Sequence, residues 1–220
     1  DEMGELAHSF NQMSLDLEQA TRSRQQMTAD IAHDLRSPLS VLTGYTEALS
    51  DGKLAGSSEV FHILHQETRH LARLVDDLRT LSLADAGELP LMRQNISPQL
   101  ILERLAARHA VTAQHNEIDI QVHASSDLPG IEIDVERIAQ VLDNLILNAF
   151  RYTPPGGKIV LIASENAQGV FFQVQDTGTG IDPQDIPHIF DRFYRGDKAR
   201  QSGGESGLGL AIARSIVEAH

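Results

Sequence analysis

Thr28-Ala29-Asp30-Ile31-Ala32-His33-Asp34-Leu35-Arg36-Ser37-Pro38-Leu39 is the stretch on which the reading of this chain turns. At helical spacing Ile31 and Leu35 point to one face, while His33, Arg36, Ser37 and Ser40 cover the other. The imidazole then projects from the helix into solvent, where a reagent can reach it. On spacing alone, a lone histidine of this kind is more often a solvated surface residue than a reactive one. Asp34 beside it, Ser37 one turn on, and the motifs further down the chain reverse that weighting.

Upstream of this stretch, Leu6, Phe10, Met13, Leu17 and Ala20 fall at three- and four-residue steps, and Met27 and Ile31 continue the seam through Arg24, a coiled-coil-like stripe. The seam slips at the histidine: the apolar residue is Leu35 where a three-step lands on Asp34, and Pro38, Leu42, Tyr45 and Leu49 resume it. Such a stutter changes the local winding, and a proline removes one helical hydrogen bond. A weak point is therefore expected just after His33. The turn-rich run Asp51 to Ser58 ends this helix. A second helix follows to about Ala84, with Phe61, Leu64, Leu71, Leu74, Val75, Leu78 and Leu81 on its buried stripe. One hairpin has too little core to stand alone, so two are expected to pair as a four-helix bundle in a homodimer. His62, His65 and His70 on the second helix lack the Asp and Ser-Pro context of His33.

Asp85 to Pro90 breaks the helix as a linker, and the periodicity then changes. Leu89 to Asn95 reads as strand, Ser97-Pro98 as the start of a helix over Gln99 to Gln114, and Ile118, Ile120 and Val122 alternate as a strand. Ile131 and Ile133 form another, Asp134 caps a helix to about Tyr152, and Lys158–Ser164 with Gly169–Asp176 reads as a hairpin. The class is α+β, an antiparallel helical hairpin followed by an α/β sandwich with helices on one face of a mixed sheet.

The chain has 220 residues, 41% hydrophobic and 22% charged, enough for a core and one or two domains. Its net charge of −13 opposes direct nucleic-acid binding. There is no cysteine for a disulfide or thiolate metal site. No apolar run approaches the roughly 20 residues that span a bilayer, and no signal peptide is visible.

Four runs in the second half are candidates for nucleotide chemistry. Asn144 and Asn148 lie four apart on one helix face. They are either hydrogen-bonded surface amides or carbonyl donors to a hard cation such as Mg2+, which also keeps water and phosphate ligands. Asp176-Thr177-Gly178-Thr179-Gly180-Ile181 ends a strand with a carboxylate that can accept from the exocyclic amine of adenine, although such loops are common as simple turns. The polar, glycine-rich run 197–204 reads as a mobile lid. Gly207-Leu208-Gly209-Leu210 opens a helix whose free N–H groups can receive phosphate. There is no Walker Gly-Lys-Ser/Thr, and no protein-kinase His-Arg-Asp or Asp-Phe-Gly.

These stretches together resemble the boxes of bacterial sensor histidine kinases. Ile31 to Leu39 resembles the phosphoacceptor box, Asn144 to Pro154 the N box, Asp176 to Ile181 the first glycine box, Ile189 to Asp197 the phenylalanine box, and Gly204 to Ala213 the second glycine box. Residues 1–6 with Phe10-Asn11-Gln12-Met13 resemble the exit helix of a HAMP module. The resemblance implies a HAMP exit helix at 1–24, a dimerisation and histidine phosphotransfer domain at 25–86, and an ATP-binding domain of the gyrase, Hsp90, histidine kinase and MutL type at 87–220. It implies that His33 takes the γ-phosphoryl of ATP while Asp34 fixes its tautomer, and that Ser37 orients water for dephosphorylating a response regulator. Asn148 would be the principal Mg2+ ligand with Asn144 its helper, and Arg151 stands where lysine is usual for the phosphates. Tyr152 would lie against the nucleotide, Asp176, Gly178, Gly180 and Ile181 would hold the base, and Gly207 to Leu210 the phosphates. Phe193 would anchor the lid and Arg195 stabilise the transferring group.

The implied partners are a second copy and a regulator's receiver domain, with membrane attachment through a missing N-terminal part, this chain being the cytoplasmic portion. Three departures stand out. The chain stops at His220, before the family's closing strands, Asp34 replaces the commoner glutamate, and Ser37 replaces threonine or asparagine. Two rival classes are a gyrase- or Hsp90-like ATPase, which needs no helical His-Asp-x-x-Ser-Pro, and a non-catalytic dimeric scaffold.

Overall fold

The structure, a computed structural model, describes residues 2–125, 127–196 and 206–220, and within the first helix it leaves out the side chains of 2–7, 9, 16, 19, 20, 23 and 24. The seam positions Leu6, Ala20 and Arg24 and the lid expected at 197–204 lie outside the described residues. By packing the chain divides into two compact units, Asp1–Asp76 and Asp77–His220.

Helix α1 (Glu2–Ser50) and most of α2 (Ser58–Asp85) make the first unit. The turn between them closes through Lys53 N–H to Ala48 O at 2.9 Å, and Ser57 Oγ accepts from Val60 N at 3.3 Å to start α2. α1 runs unbroken through Pro38. The weak point expected there is one missing hydrogen bond within an otherwise continuous ladder, not a break. Pro38 is also the only buried residue among the described side chains of α1, so its ring is turned inward.

On α2 the inner stripe is Val60, Leu64, Leu71, Leu74, Leu78 and Leu81, with Val60, Leu74 and Leu81 buried. Phe61 and Val75, expected on that stripe, are instead 59% and 56% exposed. At about 100° per residue each sits one position past the stripe. With Phe10, Met13, Leu17 and Leu39 they leave apolar surface open on a single chain.

The second unit is built on a three-stranded sheet in the order β2-β4-β5: β2 (Asp119–Ala124), β4 (Lys158–Asn166) and β5 (Gly169–Asp176). β2 runs parallel to β4 (Val122 opposite Leu161), and β4 and β5 form an antiparallel hairpin (Leu161 opposite Val174). The sheet is therefore mixed. Strand period puts Ile159, Leu161 and Ala163 on one face, against Ile101, Leu102 and Leu105 of α3 (Pro98–His115) and Leu142, Ile146 and Ala149 of α4 (Val135–Tyr152). A final helix, α5 (Gly209–Ala219), packs on α4 with Ile212 and Ile216 fully buried.

The strand expected over Leu89 to Asn95 shortens to β1 (Gln94–Ile96), paired antiparallel with β3 (Ile131–Ile133). Upstream of it the backbone bonds a side chain in place of a ladder: Met92 N–H donates to Asp134 Oδ2 at 2.8 Å. The other oxygen of Asp134 caps α4, accepting from Arg137 N at 3.0 Å. Burial opposes the charge on Asp134, but the N–H groups of Arg137, Met92 and Glu136 outweigh it and hold its carboxyl below the ordinary 3.8.

Candidate functional site

In the first unit His33 stands on α1 with 84% of its side chain exposed. Its Nδ1 lies 3.5 Å from Asp34 Oδ1, a long hydrogen bond that leaves Nε2 directed away from the carboxylate. Asp34 keeps 28% exposure, so the pair is open on the imidazole side. Ser37 is exposed one turn on, and its hydroxyl makes no hydrogen bond among the described residues, whereas Ser40 folds its hydroxyl back onto Arg36 O at 2.8 Å.

The other expected site residues gather around α4 in the second unit. Its apolar positions face the sheet and α5, which leaves Asn144 and Asn148 half-buried on the flank. Asn144 Nδ2 donates to Gly209 O at 2.9 Å and so ties α4 to the first residue of α5. The amide of Asn148 has no hydrogen bond among the described residues. One turn later come Arg151, half-buried, and Tyr152, 37% exposed.

The loop after β5 is fixed to the same end of α4. Thr179 N–H donates to Tyr152 O at 3.2 Å, and a Cβ on Gly178 would sit 2.6 Å from that oxygen, so only glycine permits the approach. Asp176 spends Oδ1 on Gly178 N–H at 2.7 Å, and Oδ2 meets no donor among the described residues. Thr177 closes the strand end, its Oγ1 accepting from Lys158 N at 2.9 Å. Gly180 and Ile181 follow on the surface, Ile181 being 54% exposed.

The phenylalanine-box segment meets the start of α5. Phe193 N–H donates to Gly207 O at 3.1 Å, with Phe193 at φ 60° and Gly207 at φ 67°. A Cβ on Gly207 would come within 2.8 Å of Phe193 C, so this position demands glycine on both conformation and space. Leu208 is fully buried beneath it, Gly209 and Leu210 are half-buried, and Arg195 is half-buried with its Nε sheltered. Asn144 is thus in direct contact with Gly209, Tyr152 with the Gly178–Thr179 turn, and Phe193 with Gly207, while His33, Asp34 and Ser37 belong to the first unit.

Two sets of side-chain ties escaped the sequence reading. Asp143, next to Asn144, is taken by α3: His109 Nε2 lies 2.7 Å from its Oδ1, and Arg108 pairs with its Oδ2. His109 is buried, and no local pattern on α3 marks it, because its partner is on another helix. The second is that of Asp185, which accepts from Tyr194 OH at 2.7 Å. It sits just before a 3-10 turn (Ile186–His188) in the segment between the first glycine box and the phenylalanine box, to which the sequence reading assigned no element.

Residues 23–87 match the His Kinase A (phospho-acceptor) domain, and residues 133–220 match the Histidine kinase-, DNA gyrase B-, and HSP90-like ATPase. The chain is 37% identical over its whole length to the signal transduction histidine-protein kinase BaeS of Escherichia coli and covers 47% of that protein. It is 35% identical over 92% of its length to the sensor histidine kinase WalK of Bacillus subtilis and covers 34% of it. The chain therefore spans half or less of the length of these curated relatives. Among solved structures, the histidine kinase AdeS of Acinetobacter baumannii superposes with a TM-score of 0.72 at 28% identity, over 85% of this chain and 86% of that one. ShkA, crystallised with AMPPNP, gives 0.65 at 31% identity, over 89% of this chain and 41% of that one. A phosphoacceptor helix pair followed by an ATPase-type domain, both matched in this order, places the chain in the sensor histidine kinase family.

Proposed function

We propose that this chain is the part of a sensor histidine kinase that transfers the γ-phosphoryl group of ATP to His33 and passes it to an aspartate of a response regulator. The observation that carries the reading is the occurrence, in one chain, of an exposed His33–Asp34 pair on a helix and a linked set of N-box and glycine-box residues. ShkA was solved with an ATP analogue, which supports nucleotide as the ligand of the second unit.

The donors around Asn148 are neutral amides on a half-buried helix flank, a set that suits a hard divalent cation completed by water and phosphate. Asn148 would hold Mg2+ with Asn144 beside it, and the ion would neutralise charge on the phosphates. Asp176 Oδ2 is available for the adenine amine, Tyr152 for the base, and the N–H groups from Leu208 onward for phosphate. Asp34 holds the Nδ1 proton of His33, so Nε2 carries the lone pair. Nε2 forms the bond to the γ-phosphorus as the bond to the β–γ bridging oxygen breaks. ADP leaves with that electron pair, and Arg151 and Arg195 offset the charge. Ser37 would hold water for the reverse duty, hydrolysis of the regulator's phosphate. The open apolar faces of α1 and α2 fit a second copy, and attachment to a membrane would come through chain preceding residue 1.

The test follows the γ-phosphoryl. With γ-labelled ATP and Mg2+, label is expected on protein as an acid-labile, base-stable adduct. Label released only as inorganic phosphate would instead establish a gyrase-like ATPase. The taking of both oxygens of Asp143 by α3 speaks against that second reading, since the one carboxylate next to Asn144 is already engaged.

A further inference from the structure

The carboxylate of Asp185 touches the chain on both sides of Arg195. Its Oδ1 accepts from Tyr194 OH at 2.7 Å, and its Oδ2 lies so close to Gly196 that a Cβ there would be 2.6 Å away. Asp185 is itself held by the backbone: its N–H donates to Asp182 O at 2.9 Å, and its carbonyl accepts from His188 N at 2.8 Å. The His188 ring lies 5.5 Å from that of Tyr194, and His188 Nδ1 is 2.9 Å from Asp191 Oδ2. On the N-terminal side, Phe193 is pinned to Gly207. The residue in the middle of this bracket is Arg195, half-buried with its Nε sheltered.

We propose that Asp185 and Tyr194 are positioning residues for phosphoryl transfer, fixing the backbone from which Arg195 reaches the transferring group. Neither touches the nucleotide in this scheme. An arginine has a long stem whose rotamer freedom must be given up at the moment of reaction, so a backbone fixed at both neighbours leaves less to organise. Asp185 supplies that constraint from outside the aromatic box, with a hydrogen bond before Arg195 and close packing after it. The inference rests on the role given above to Arg195, and the experiment separates the two.

Autophosphorylation kinetics of the full chain at varied ATP would be measured for Tyr194→Phe, Asp185→Ala, Asp185→Asn, Arg195→Ala and the double variant Tyr194→Phe/Arg195→Ala. Tyr194→Phe and Asp185→Ala are expected to lower kcat by roughly 10- to 100-fold, the size of a displaced reacting group. KM for ATP should stay within about twofold, since binding in the ground state is untouched. Asp185→Asn keeps an acceptor for the tyrosine hydroxyl and should recover most of the rate. In the Arg195→Ala background, Tyr194→Phe should change nothing further, which a merely structural role would not produce. Equal slowing in both backgrounds, or Asp185→Asn as slow as Asp185→Ala, would overturn the positioning role while leaving Arg195 in place. Arg195→Ala at the wild-type rate would remove Arg195 from the reaction and the proposal with it.

Discussion

Asp143 and Asn144 are adjacent on α4 and serve different neighbours: the carboxylate is held by Arg108 and His109 of α3, and the amide by Gly209 of α5. The asparagine spacing was legible because a pair of polar residues four apart on a packed helix must be satisfied by something. The ties of Asp143 were not, since nothing near His109 in sequence announces a partner 34 residues away. At His33 the local pattern sufficed, because helix periodicity alone turns it outward, and its 84% exposure agrees. Ser37 separates the two activities proposed for this helix. Ser37→Ala should leave labelling of His33 nearly unchanged and lengthen the lifetime of the phosphorylated regulator, read as decay of regulator phosphate with ADP present. Equal decay with wild type and variant would remove Ser37 from the phosphatase step.

Helix α4 shows how one side chain sets an element. Asp134 caps its first turn and also takes Met92 N–H, so β1 begins later than the apolar pattern of 89–95 suggests. The cap was readable from an Asp before an amphipathic run, but the second bond was not, because it crosses 42 residues. On α2, Phe61 and Val75 lie one position past the inner stripe of the single chain, on apolar surface that the proposed second copy would cover. The lowered carboxyl of Asp134 makes its contribution pH-dependent: it is present above the ordinary 3.8 and is lost as pH falls through the depressed folded value. Asp134→Ala should cost on the order of 1 kcal/mol near neutrality. The gap from wild type, measured by urea unfolding, should shrink steadily as pH is taken below 3.8. A gap that stays constant with pH would show that Asp134 acts by packing and not through its charge.

For the whole molecule, the order of boxes along the chain carried most of the reading, and the helical pair followed by a mixed α/β layer is what the structure shows. The packing division inside α2, at Asp76 and Asp77, was not legible, since the helix period runs through it without interruption. Residues past that point, such as Thr80, take bonds from α4 through Arg137 at 3.3 Å. The central claim is that ATP held by the second unit ends as a phosphoryl group on one histidine of the first. The most direct measurement compares wild type with His33→Gln, giving γ-labelled ATP to each and recording Mg2+-dependent nucleotide affinity alongside protein-bound label. The expected result is affinity unchanged and label abolished in the variant. Label persisting on another histidine, with affinity intact, would contradict the assignment of His33 as the acceptor.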